Sequence, residues 1–394
     1  MADKGGNGDG ATTVRSYSHH DRKTKAGDSS DGVDSISFLP DVILQSILSS
    51  LPIKIAIKTS ILSKRWRHVW SETPCLYLDW FMPRGPKGDI VNKILDRYKA
   101  RKMMSFELSA DMRDDIPYVD RWIEFAMSRN VENMSLEFDY RGDHKCYVPD
   151  FFYISNSFKQ LSVELFFSDL NLPSCSVSWT SLKMLSLRSC KISEECIDKI
   201  LSGCPILESL TLYFCGKLMV LDLSKSLSLR TLVIERNVWV PGPTHIVAPH
   251  IHCLRLSNCQ LQCTLVDVSS LKEARIDIFC NAQDDVEADF LQVMVLKMLE
   301  KLQHVDKLTF GENFLKILSL AELRCVSIPS FKVKDLTLTT MISQYVIPGI
   351  VRLLQNSAEL KKLTTMYTID DIDIILGEDI DTYLDLHSLN KDQC

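Results

Sequence analysis

Along the middle of the chain, apolar and polar residues alternate in short bursts that recur. A nine-residue window with apolar groups at its fourth and sixth places fits when started at Met103, Val131, Phe158, Leu182, Leu207, Leu229, Ile251, Leu271, Val305 and Val333. The fourth places read Phe106, Met134, Leu161, Leu185, Leu210, Leu232, Leu254, Ala274, Leu308 and Leu336. The sixth read Leu108, Leu136, Val163, Leu187, Leu212, Ile234, Leu256, Ile276, Phe310 and Leu338. Between them stand Glu107, Ser135, Ser162, Ser186, Thr211, Val233, Arg255, Arg275, Thr309 and Thr337, polar in all but one. Side chains of a strand point alternately to its two faces, so each window reads as a short strand with one face buried. Returning segments between strands should often be helical. The clearest starts at the capping hydroxyl of Ser193, carries Glu194 and Glu195 in its first turn, and stops at Gly203 and Pro205. Residues 284–302 give a second amphipathic helix.

Ahead of these windows the periodicity is different. After Pro40, whose fixed φ suits the start of a helix, Ile43, Leu44, Ile47, Leu48 and Leu51 recur at helical spacing. Pro52 ends that helix and restarts the chain. Ile53, Ile57 and Ile61 follow at steps of four, with Lys54 and Lys58 on another face. Ser63 can cap a third helix that sets Trp66 and Trp70 on one side, among Arg65, Arg67 and His68. A block this short cannot bury all of these aliphatic and indole groups by itself, so part of its surface must meet another chain or the rest of this one.

The windows start 20 to 34 residues apart, mostly within or close to the leucine-rich-repeat period. That repeat wants Asn or Cys at the ninth place, which holds Cys190, Cys215, Asn237, Cys259 and Asn313. A small polar group there can satisfy backbone atoms as the chain leaves the strand. Repeated strand, turn and return stack into a curved solenoid whose parallel sheet lines the concave side.

The order Leu39-Pro40-Asp41, Ile43-Leu44, Ile47-Leu48, Leu51-Pro52, Leu62-Ser63-Lys64-Arg65-Trp66-Arg67 and Trp70 resembles the F-box, in the version found in plant F-box proteins with leucine-rich repeats. Val346 to Leu363, with Leu353-Leu354 and Leu360-Lys361-Lys362-Leu363, resembles the start of the small carboxy-terminal FBD-like domain of that family. The expected class is therefore α/β: a tail at 1–33, a three-helix F-box at 34–80, a leucine-rich-repeat solenoid at 81–345 and an FBD-like segment with an acidic tail at 346–394. The resemblance implies the substrate receptor of an SCF-type cullin-RING ubiquitin ligase. It would dock onto a Skp-family adaptor, and through it onto cullin and RING subunits, and capture a target protein without catalysis of its own. Leu39, Pro40, Ile43, Leu44, Ile47, Leu48, Leu51 and Pro52 are expected in or next to the adaptor contact, with Trp66 and Trp70 shared between contact and core.

Strand side chains that point away from the core are the candidates for target binding: Glu137, Arg188, Tyr213, Glu235, Arg255, Arg275 and Asp277. Their mixed signs favour a protein or peptide over a polyphosphate strand. The alternatives are a small-molecule hormone co-receptor using Arg188, Tyr213 and Arg255, an adaptor-binding scaffold with no ligase role, or a nucleic-acid binder using Lys64 to His68.

Charge and chemistry narrow this further. The formal net charge is −6, which argues against general nucleic-acid binding. The first thirty residues hold no hydrophobic signal core and no run of eighteen apolar residues occurs, so a soluble protein of cytoplasm or nucleus is expected. Its thirteen cysteines are then expected as reduced thiols. His250, His252, Cys253, Cys259 and Cys263 match no zinc module, and no GxSxG, HExxH, P-loop or dinucleotide pattern is present, so neither a metal, a cofactor nor a catalytic site is expected. The carboxylates from Asp370 to Asp385 read as a solvated face.

Overall fold

A computed structural model of the protein describes residues 36, 38–78, 87–111, 115–139, 148–170, 172, 176–236, 242–259, 263–278, 288–323 and 327–366. The expected tail at 1–33, Asn237 and the acidic run at 370–385 lie outside the described residues. The chain divides into two units, Met1–Pro40 and Asp41–Cys394. In the first, the Leu39 amide donates to the Ile36 carbonyl at 3.2 Å, closing a turn. The second holds the elements that follow.

Three short helical pieces come first. Helix Asp41–Leu48 is followed by Ile53–Lys58, for which Pro52 is the N-cap, and then by a single 3-10 turn at Thr59–Ile61. The third, Trp66–Val69, continues as a 3-10 turn through Trp70–Glu72. As its sequence implied, Ser63 Oγ accepts from the Trp66 amide at 3.3 Å and satisfies a donor that the first helical turn leaves open.

Every one of the ten windows contains a strand. They are Ser105–Asp111, Asn133–Asp139, Gln160–Asp169, Met184–Lys191, Ser209–Tyr213, Thr231–Glu235, Cys253–Cys259, Glu273–Ile278, Lys307–Gly311 and Asp335–Thr339. Cys75–Leu78 precedes them and Lys362–Met366 follows, and the twelve form one sheet in chain order with parallel neighbours. From the fourth to the sixth place the register is constant: Leu76, Phe106, Met134, Leu161 and Leu185 stand side by side, and Leu210, Leu232, Leu254, Ala274, Leu308 and Leu336 continue the row. All twenty fourth-place and sixth-place residues are at most 2% exposed, and none of the residues between them is buried. A strand with one apolar face is marginal alone, but stacking in register turns these faces into two continuous buried rows.

The ninth place works as its chemistry suggests. Cys190 Sγ lies 3.7 Å from the carbonyl of Val163 and Cys215 Sγ 3.2 Å from that of Leu187, both sixth-place residues of the preceding strand. Asn313 Nδ2 donates to the Ile278 carbonyl at 3.0 Å. At the eighth place the backbone turns left-handed, with φ of 48° at Ser189, 54° at Phe214 and 53° at Asn258, which kinks the chain near the end of the strand.

Returns follow the length available. Helices Ile116–Met127, Glu194–Ser202, Ala288–Lys301 and Glu312–Leu323 occupy intervals of 25 residues or more. The expectation of helical returns fails at the three shortest, 20 to 22 residues, where too little chain remains. There Val220–Asp222, His245–Val247 and Thr264–Asp267 run extended and form a second, three-stranded parallel sheet. In helix Glu194–Ser202 the Cys196 amide donates to Ser193 Oγ at 3.3 Å. Gly203, by contrast, has an ordinary φ of −84° and owes its place to proximity: an added Cβ would stand 2.4 Å from the Val177 carbonyl oxygen.

Charges tie neighbouring repeats at the sheet margin. Glu132 holds Lys102 at 2.6 Å and Lys159 at 2.7 Å, and these two ammonium groups lower its carboxyl to about 2. No helix among the described residues is long and apolar enough to cross a membrane.

Two outcomes are expected. Gly203→Ala should lower the melting temperature by an amount equivalent to about 1–3 kcal/mol, because the crowding atom is backbone and cannot step aside. Folded Glu132 titrates below its ordinary value of 4.5, so its contribution is complete above that pH and fades as pH falls toward about 2. Melting temperatures followed across that window should therefore drop less steeply for Glu132→Gln than for the wild type.

Candidate functional site

Two surfaces carry the residues singled out above. On the helical block, the broad apolar stripe of the first helix divides. Leu44 and Leu48, one helical turn apart, face inward and are 0% and 2% exposed. Trp66 and Trp70, expected to be shared between contact and core, are wholly on the core side, as are Ile53, Ala56 and Val69. The physical reason is contact: helix Asp41–Leu48 packs on Trp66–Val69 and on Trp70–Glu72, which takes up the half of the stripe nearest the indoles. Leu44, Leu48, Trp66 and Trp70, expected in or next to the contact, are thus buried beneath it and offer little surface of their own.

The other half of the stripe is bare. Ile43 and Ile47 are each close to half exposed, and Val42, Ile55, Ile61 and Leu62 lie open beside them in sequence, Ile61 at 88% and Leu62 at 66%. Leu51 is half-buried and Pro52 exposed; in the first unit Leu39 is half-buried and Pro40 exposed. Val42, Ile55, Ile61 and Leu62 were not among the expected contact residues, although all four are visible as aliphatics in the helical stretch. The signal that could have found them is surplus: a block with two tryptophans and this many branched aliphatics has more apolar groups than one small core can take. Lys58, Lys64, Arg67 and His68 are exposed on the same block, while Arg65 is held by Asp41 at 2.6 Å and fastens the start of the third helix to the start of the first. The block therefore exposes both aliphatic and basic side chains.

The second surface is the outward face of the sheet. All seven predicted residues alternate with buried neighbours and lie on it. Glu137, Glu164, Arg188, Tyr213 and Glu235 occupy successive strands in direct register. Arg188 Nε lies 3.2 Å from Glu164 Oε2, its guanidinium stands 4.5 Å from the centre of the Tyr213 ring, and Ser189 Oγ donates to Glu164 at 3.1 Å. Burial, and then the hydroxyl's bond to Glu235, raise the Tyr213 pKa. Sequence reasoning missed Glu164, the anion that completes this row. Arg255 and Arg275 form a separate pair, adjacent in register and both exposed. Asp277 lies two residues past Arg275 on the same strand.

Toward the amino-terminal side of this face a shallow trough of about 190 Å³ runs across the strands from Tyr77 to Thr211, floored by Ser135, Ser162 and Ser186. Its lining is almost entirely uncharged. Among the described residues no group of three or more His, Cys, Asp or Glu could hold a metal ion. Cys263 is buried, and the His250 ring is engaged with the Ser224 carbonyl at 3.2 Å.

Comparison with known proteins follows the same division. The F-box domain family matches residues 36–76, and the family described as FBD-associated F-box protein At5g56370, LRR repeats, matches residues 119–238. The chain is 54% identical over 379 residues to Putative F-box/LRR-repeat protein At3g18150 of Arabidopsis thaliana, covering 95% of this chain and 80% of that protein. It is 58% identical over 341 residues to Putative F-box protein At1g49610 of the same plant, covering 86% of each. F-box/LRR-repeat protein At3g03360, also from Arabidopsis thaliana, is 56% identical over 379 residues, which cover 91% of this chain and 76% of that protein.

The split within the first helix is open to a direct check. Leu44→Asp puts a carboxylate where no water reaches and should unfold residues 41–72, at a cost of about 3 kcal/mol or more. Ile47→Asp changes a surface residue and should stay within about 1 kcal/mol of the wild type. Limited proteolysis of this segment distinguishes them: rapid cleavage is expected for Leu44→Asp alone.

Proposed function

The chain belongs to the plant F-box/leucine-rich-repeat family, and from that premise we propose that it is the substrate-recognition subunit of an SCF-type cullin-RING ubiquitin ligase, working in cytoplasm or nucleus. In this reading the helical block docks a Skp-family adaptor, which tethers it to cullin and RING subunits. The repeats curve into a solenoid whose sheet, on the concave side, holds the target protein. Family members of this kind are generally non-catalytic, and the contribution of this chain is proximity. A captured target's lysines are kept at high effective concentration near a charged conjugating enzyme carried by other subunits.

The observation that carries the proposal is the uncovered aliphatic half-stripe of the helical block: Val42, Ile43, Ile47, Ile55, Ile61 and Leu62. Apolar groups gathered on so small a block mark an interaction surface, and the basic side chains exposed on the same block suit a partner with an acidic surface. The F-box domain generally binds Skp1-type adaptors, which supports that identity for the partner.

Adaptor pull-down tests it. Ile43→Asp with Ile47→Asp, two exposed positions, should cut recovery of a Skp-type adaptor by about tenfold or more, the equivalent of about 1.4 kcal/mol or more, while the melting temperature stays close to that of the wild type. Undiminished recovery by this double variant ends the assignment.

A further inference from the structure

On the outward face of the sheet Arg188 has Glu164, and at its margin Lys183 has Glu208 at 2.8 Å and Lys334 has Asp306 at 2.6 Å. Arg255 and Arg275 stand directly opposite each other on adjacent strands, and among the described residues neither has an ion-pair partner. Arg255 has the Cys253 thiol beside it, and its neighbours across the sheet are Val233 on one side and Arg275 on the other. Beyond Arg275 the row continues as Thr309 and Thr337. Like charges opposed at the ~4.8 Å spacing of neighbouring strands are destabilising. Two guanidinium forks so placed can both donate to one oxyanion, which removes the repulsion and adds charge-assisted hydrogen bonds.

The same row also leads from the pair into the trough. Past Val233 it reads Thr211, Ser186, Ser162 and Ser135, short uncharged hydroxyls one per strand. Five strand spacings separate Ser135 from Arg255, roughly 24 Å, which an extended segment of about seven residues would cover. The rest of the face opposes a polyanion, because Glu107, Glu137, Glu164, Glu235, Glu273 and Asp277 all share it. Glu273 and Asp277 flank Arg275 on its own strand, a setting that tolerates a singly charged carboxylate better than a doubly charged phosphate.

We infer that the face takes an extended segment of a target protein laid across the strands, with an Asp or Glu side chain held between Arg255 and Arg275 and small polar residues over the serine and threonine floor. This deepens the reading of the sheet as the target-binding surface, and rests on it. The probe is a short fluorescein-labelled peptide of serine and glycine with two aspartates at one end, titrated by anisotropy into the full chain at low ionic strength. The aspartate peptide should bind about tenfold more tightly than its asparagine counterpart, and Arg255→Gln with Arg275→Gln should remove that difference while Lys183→Gln, at the sheet margin, alters it less than about twofold. These glutamines sit at exposed positions, so the melting temperature should hold or rise as the repulsion is relieved.

Equal binding of the asparagine peptide, unchanged affinity in the double variant, or no binding of the aspartate peptide overturns the inference. Displacement of the peptide by inorganic phosphate or by a short oligothymidylate at lower concentration than by free peptide overturns it in favour of a phosphate site. Adaptor recovery is measured on the same preparations. Its loss, with peptide binding intact, would count against the ligase reading and leave the arginine pair standing.

Discussion

The structure depends on register. In a parallel strand the buried side chains fall two residues apart, and a slip of one residue would carry Leu210 and Leu212 out to solvent and bring Thr211 in. Because each strand from Cys75–Leu78 to Lys362–Met366 pairs with its neighbours in one register through the fourth to sixth places, two buried rows run along the sheet. The opposite face is thereby fixed as well: whatever stands at the fifth and seventh places is presented in straight rows across the strands. The side chains of that face are set out in those rows, and the core beneath them holds their spacing.

Much of this was legible from the residues because the period of a strand is short and its consequence stark. Ten windows satisfying an apolar fourth and sixth place became ten strands, and the ninth-place Cys190, Cys215 and Asn313 bond backbone carbonyls as a small polar group there should. The two strands that escaped had physical reasons to escape. Cys75–Leu78, which packs beside helix Ile53–Lys58, has Leu76 and Leu78 at the two buried places but falls inside the block that reads as helical. Lys362–Met366 has Thr365 where the filter demanded an apolar group, and as the outermost strand among the described residues it leaves Leu363 half exposed. The extended returns at Val220–Asp222, His245–Val247 and Thr264–Asp267 follow from interval length, a quantity the sequence displays but that a search for helices overlooks.

The helical block shows the opposite limit. Periodicity alone puts Ile43, Leu44, Ile47 and Leu48 on one broad stripe and is silent on which edge of it faces in. Packing against Trp66 and Trp70 decides that, and it selects Leu44 and Leu48. What remains outside, Ile43 and Ile47 with Val42, Ile55, Ile61 and Leu62, is apolar area left to water in the chain alone, and the proposal is that an adaptor covers it. On the sheet, likewise, the sequence identified outward positions one by one, while only the register brought Glu164, Arg188, Tyr213 and Glu235 into one row and set Arg255 against Arg275.

The central claim is that the aliphatic half-stripe of the helical block is completed by a second protein. Amide hydrogen exchange, followed by mass spectrometry on the chain alone and with a saturating Skp-type adaptor, tests it most directly. The account predicts that exchange slows across residues 41–62 on adding adaptor and stays the same in the sheet strands. Unchanged exchange at 41–62, or a slowing confined to the strands, would contradict it.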